Sequence, residues 1–69
     1  YVLVRLLFFR GDLEEARALA VALDARARES GARVHRVWAV ESHAECLLRL
    51  GALDEAIEQA RHALQLAEE

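Results

Sequence analysis

Gly51-Ala52-Leu53-Asp54-Glu55-Ala56-Ile57-Glu58-Gln59-Ala60 is the stretch whose reading decides the fold. A weaker copy stands at Gly11-Asp12-Leu13-Glu14-Glu15-Ala16-Arg17-Ala18-Leu19-Ala20, at an offset of 40 residues. Residues 1–29 laid over 41–69 without gaps share eight identities: Leu7/Leu47, Gly11/Gly51, Leu13/Leu53, Glu15/Glu55, Ala16/Ala56, Ala20/Ala60, Ala27/Ala67 and Glu29/Glu69. Alanine content accounts for part of that agreement. The common Gly-x-Leu-x-Glu-Ala core is more specific. A fixed offset of this size is the mark of stacked helical repeats.

Working outward, Asp12 to Glu29 reads as a helix. Leu13, Ala16, Ala20, Leu23 and Ala27 fall at steps of three and four and make one apolar stripe. Asp12 can cap its start and Glu15 can close a capping box. Asp24 and Arg28 make an i,i+4 pair, and Ser30-Gly31-Ala32 ends the helix. Arg33 to Leu50 is the next, with Val34, Val37, Trp38, Val40, Ala44, Leu47 and Leu48 on its apolar side and Glu45 paired with Arg49. Gly51 stops it. Ala52 to about Glu68 is the last, its stripe formed by Leu53, Ala56, Ile57, Ala60, Ala63, Leu64 and Ala67. Ala52 offers no capping acceptor, and Asp54, Glu55 and Glu58 compensate through the helix dipole.

Tyr1 to Arg10 could be a strand by local propensity. Its alignment with residues 41–50 and its run into Gly11, a good helix C-cap, favour helix. A helix apolar on all sides is buried on all sides. Tyr1 to Phe9 therefore needs cover from a preceding repeat or a second copy of the chain. Short Gly-containing turns make neighbouring helices antiparallel. The expected architecture is all-α: one domain over 1–69, two stacked hairpins, with repeat 1 at about 1–31 and repeat 2 at about 32–69. A closed four-helix bundle is the competing topology.

The totals agree. Sixty-nine residues allow one small domain with a thin core. No Pro, three Gly and abundant Ala, Leu, Glu and Arg point to helix throughout. The 55% apolar content is high for so short a chain, so part of that surface calls for an external partner. A net charge of −3 argues against nucleic-acid contact, which selects clustered cations. A lone Cys46 makes no internal disulfide. No run is long and apolar enough to span a bilayer. The chain opens on Tyr1 and has neither a signal peptide nor a Met start, so the reading is a cytoplasmic piece of a longer protein. Its Arg, Ala and lack of Lys suggest a GC-rich bacterium.

Residues 40–68 resemble a tetratricopeptide repeat, matching its second half through Gly51, Glu55, Ala56, Ala63 and Leu64. Leu53 replaces the aromatic usual before the acidic pair, and Ala60 a large aromatic. Val40, His43 and Leu47 stand where Trp, Leu and Tyr are common, and Glu68 where Pro is. Residues 3–31 follow the pattern more loosely through Leu7, Gly11, Glu15 and Ala16. The 40-residue spacing is similar to that of bacterial ATP-dependent transcription activators of the MalT-like, LuxR-terminated type. The resemblance implies a right-handed superhelix segment with a concave surface lined by the first helix of each pair. It also implies a regulatory setting in which a small molecule could be sensed.

No residue carries an expected catalytic, cofactor or metal role. His43 and Cys46 share a helix face at a metal-pair spacing, but no second pair accompanies them. Ser42 and His43 point about 100° apart and form no nucleophile–base pair. Arg26, Arg28, Arg33, His35 and Arg36 gather around the second turn. Arg33 and Arg36 begin a helix, where cations are mildly unfavourable, which marks them for an external contact. Trp38 reads as core or inter-repeat filler. The candidate partner-binding residues are Arg33, Arg36, Ser42 and His43. The expected function is a non-catalytic protein or peptide interaction module. Small-molecule sensing and self-assembly through the Tyr1–Phe9 face are the alternatives.

Overall fold

The computed structural model describes residues 2–69, with the backbone alone at Val2. They form four helices: α1 (Val2–Arg10), α2 (Leu13–Ser30), α3 (Arg33–Arg49) and α4 (Leu53–Glu68). The fold is all-α, two helical hairpins stacked on one another, and no strand occurs among the described residues. Each helix packs on the next in the chain. The backbone measures 31 × 24 × 14 Å. The shortest dimension fits two helix layers at the usual 8–10 Å axial separation.

One reversal is used at the first and third turns, and a variant of it at the middle one. The N–H of Gly51 donates to the Leu48 carbonyl at 3.1 Å and that of Ala52 to the Leu47 carbonyl at 2.9 Å. This pair of bonds defines the Schellman turn. Gly11 and Asp12 repeat it on Phe8 and Leu7, at 3.1 and 2.9 Å. At the middle turn, Gly31 and Ala32 both reach the Ala27 carbonyl. Gly11, Gly31 and Gly51 stand 20 residues apart in the sequence, so the 40-residue repeat is made of two helix-and-turn units of equal length.

The same geometry overrides the expected capping box. Asp12 has ψ 63°, and Ala32 and Ala52 have ψ 84° and 68°. A capping side chain needs an extended backbone at this position, and none of the three bonds its helix. The Asp12 carboxylate sits 3.1 Å from Arg10 Nε instead, in a charge contact not aligned as a hydrogen bond.

The core comes in two clusters, one on either side of α3. Val4 and Leu7 of α1 meet Ala16 of α2 and Cys46 of α3, with Phe8, Leu19 and Leu23 packed against them. Val40 of α3 meets Ala63 and Leu66 of α4, with Val37 beside them. The α2 stripe is buried at Ala16, Ala20 and Ala27. The other stripes depart from expectation. On α4 the core takes Ala56, Ala63 and Leu66, while Leu53, Ile57 and Leu64 stay exposed. On α3 Val34, Trp38 and Leu48 are exposed. Trp38 therefore fills no core, and its ring meets His35 edge-on at 5.4 Å. Nor is α1 covered all round: Leu3, Leu6 and Phe9 are 57%, 57% and 81% exposed. Tyr1 lies outside the described residues.

Gly51 has φ +85° with open space where a Cβ would point. Gly51→Ala should therefore cost only the left-handed backbone penalty, roughly 1–2 kcal/mol. For a domain of this size that lowers Tm by about 5 °C or more. Urea and thermal melts check it, and an unchanged Tm would show that this turn does not constrain the fold.

Candidate functional site

Two grooves flank α3. The first is a cleft of about 260 Å³ between the leading helices of the two hairpins. Val4, Arg5, Phe8 and Phe9 of α1 form one wall, and Glu41, Ser42, Glu45 and Arg49 of α3 the other. Aromatic and aliphatic carbon makes the floor, and charges of both signs make the rim. The Arg49 guanidinium lies over the Phe8 ring, 4.9 Å from its centroid. That contact takes the place of the expected Glu45–Arg49 pair, and such cation–π contacts are worth ~0.5–1 kcal/mol at exposed sites.

The second groove, about 530 Å³, runs between α3 and α4. It is apolar along its length, with Ala44 and Leu48 on one side and Leu53, Ile57, Ala60 and Leu64 on the other. Glu41 and Glu45 stand on the ridge that separates it from the first cleft.

The candidate residues are distributed as follows. Ser42 lines the first cleft. Arg33 is exposed at the start of α3. Arg36 is tied down: its Nε lies 3.0 Å from Asp24 Oδ1, joining α3 to α2. Asp24 also takes Arg28 at 3.0 Å and is largely buried. One carboxylate therefore gathers two of the arginines around the second turn. In a partly buried setting such pairing contributes more than the near-zero worth of exposed pairs.

His43 faces the junction of α2, α3 and α4 and is half-buried. Its Nε2 is buried without a hydrogen-bond partner. Burial holds the imidazole pKa below its ordinary value. Arg17 adds to the effect, while Glu55 and Asp24 oppose it. Cys46, one turn on, is fully buried. Burial pushes its thiol up, helped by Glu45 and opposed by Arg17. A thiol kept protonated and out of solvent is a small apolar side chain in practice.

The structure thus brings Ser42 together with Arg5, Phe8, Phe9 and Arg49, which the sequence does not single out, and separates it from Arg33, Arg36 and His43. No local spacing links Phe8 to Arg49. Only the hairpin stacking that sets α1 beside α3 brings them into contact. Among the described residues no group of three or more His, Cys, Asp or Glu side chains could hold a metal ion. No described helix is long and apolar enough to cross a membrane. Comparison with models of protein families, with curated proteins and with solved structures gives no match.

The position of His43 has a consequence for pH. Its folded pKa is lowered, so above the unfolded value near 6.5 both states are neutral and its contribution is fully present. As pH falls through 6.5 and toward the folded pKa, the unfolded chain takes up the proton more readily and stability is lost. His43→Leu should remove that dependence. It should also raise stability at neutral pH by about 1 kcal/mol, by deleting an unpartnered buried polar atom. Urea melts at pH 5 and pH 8 check both. An equal loss of stability at the two pH values would instead assign His43 a structural hydrogen bond.

Proposed function

We propose that the chain is a non-catalytic module that binds a short segment of another protein across the cleft between α1 and α3. The observation that carries this reading is the cleft's composition. Val4 and Phe8 offer an apolar floor with Phe9 at its open edge, and Arg5, Arg49, Glu41 and Glu45 ring it with both charges. A peptide supplies that combination: an apolar side chain to bury, flanked by backbone and charged groups that meet the rim. At about 260 Å³ the cleft is smaller than the ~300–1,000 Å³ of sites that enclose a drug-sized molecule. In this cleft, that favours anchoring one peptide side chain over enclosing a free metabolite. On the strength of the repeat resemblance, we place the module in a bacterial regulatory or signalling protein working in the cytoplasm.

Selection of peptides on the immobilised chain, followed by amide chemical-shift mapping, tests the reading. The selected peptides should carry an apolar residue flanked by charges and shift the amides of Phe8, Ser42 and Arg49. Ser42→Arg fills the cleft from a half-buried position and should weaken binding at least tenfold while leaving the melting temperature within a few degrees. Peptides that map elsewhere, or that bind Ser42→Arg as well as the parent chain, would overturn it.

A further inference from the structure

The groove between α3 and α4 has a counterpart inside the molecule whose occupant is visible. Shifting the α1–α2 hairpin by 40 residues carries Val4, Phe8, Ala16, Ala20, Leu23 and Ala27 onto Ala44, Leu48, Ala56, Ala60, Ala63 and Ala67. All six of these line the α3–α4 groove. The α1–α2 side of the equivalence is covered by α3, whose Cys46 is buried against Val4, Leu7 and Ala16. The α3–α4 groove is therefore shaped for a helix placed as α3 is.

The matching helix face is also present and uncovered. The same shift relates His43 and Cys46, on the side of α3 that meets the first hairpin, to Leu3 and Leu6 of α1. Both leucines are 57% exposed.

The two free faces have changed in concert. Inside the molecule His43 lies in the field of Arg17 and Asp24 on the facing helix α2, and of Glu55 in its own hairpin. The 40-residue counterparts of His43, Arg17 and Asp24 are Leu3, Ile57 and Leu64, while Glu55 corresponds to Glu15. Polar groups that face one another between the two hairpins thus correspond to aliphatic side chains on the two outer faces. Charge agrees: Glu41 and Glu45 border the groove, whereas α1 carries Arg5 and Arg10 and no acidic residue. Shifted by 40 residues, the Arg5 position becomes Glu45, so stacking sets the Glu45 of one copy against the Arg5 of the next.

We infer that a second copy of this chain docks its α1 stripe, Leu3 and Leu6, into the α3–α4 groove, stacking copies head to tail. Such an interface is heterologous and leaves a free face at each end, so growth continues past the dimer unless a ring closes. The inference does not require a peptide in the first cleft, although Glu41 and Glu45 border both grooves.

Sedimentation equilibrium of the 69-residue chain from micromolar to millimolar concentration tests it. The weight-average mass should climb beyond that of a dimer. Leu6→Glu disables the stripe and Ile57→Glu the groove, so each variant alone should stay monomeric. Mixed, they retain one intact interface and should form a one-to-one pair that grows no further. Both positions are exposed, and far-UV circular dichroism verifies the helices. Leu3→Glu with Leu64→Glu provides a second pair should either variant unfold. Ser42→Arg should assemble as the parent chain does. A parent chain monomeric at millimolar concentration, a closed dimer that survives either glutamate, or a mixture that forms no pair would overturn the inference.

Discussion

The reversal at each glycine is the constraint on which the rest of the structure depends. A residue in the left-handed region ends a helix by turning the last carbonyls onto two successive N–H groups. It also fixes the direction in which the next helix departs. Because Gly11, Gly31 and Gly51 are evenly spaced and the turns at Gly11 and Gly51 share their bonds, residues 2–29 of the first hairpin find counterparts 40 positions on in the second. The absence of a side-chain cap at Asp12 follows from the same cause: its backbone is set by the turn, and its carboxylate does not bond the helix. Ala32 and Ala52 have no side-chain acceptor to offer.

Within that frame α3 is the shared helix. It gives Cys46 to one cluster and Val40 to the other. Among the described residues Cys46 is also the largest side chain that is completely shielded from solvent. Close approach by the small residues of α2 and α4 replaces burial of large ones, so the core is thin, as the length of the chain dictates. The larger side chains are left at the helix edges, where Phe8, Phe9, Leu48 and Ile57 line the two grooves. The arrangement that limits the core supplies the surfaces.

Four helices, three turns and the stripe of α2 are legible from periodicity and glycine placement. The orientation of the other stripes is not. On α4 the cleanest apolar stripe points largely outward, and the core takes Leu66, which lies off that stripe. Amphipathicity states which side of a helix avoids water. It does not state whether the same chain does the covering. Trp38 lies outside the core for the same reason. Arg36 could be read as unattached because its partner, Asp24, lies on another helix and was already matched to Arg28 by local spacing. Ser42 could be placed on the cleft because the resemblance assigns the concave surface to leading helices. Phe8 and Arg49 could not be, because their contact exists only between hairpins.

Stacked repeats remain dispersed when their terminal faces are polar, since each repeat otherwise presents the surface that its neighbour would bury. Here the outer faces of α1 and α4 carry Leu3, Leu6, Leu53, Ile57 and Leu64, while the polar residues of the same register, Arg17, Asp24 and His43, are spent on the internal junction. Charge and imidazole stand beside the apolar cluster where the two hairpins meet, and aliphatic carbon stands on their outer faces, where covering it would contribute through the hydrophobic effect. The internal junction is held by the buried cluster around Cys46 and by the Arg36–Asp24 pair, and the outward faces keep their aliphatic carbon for a further contact.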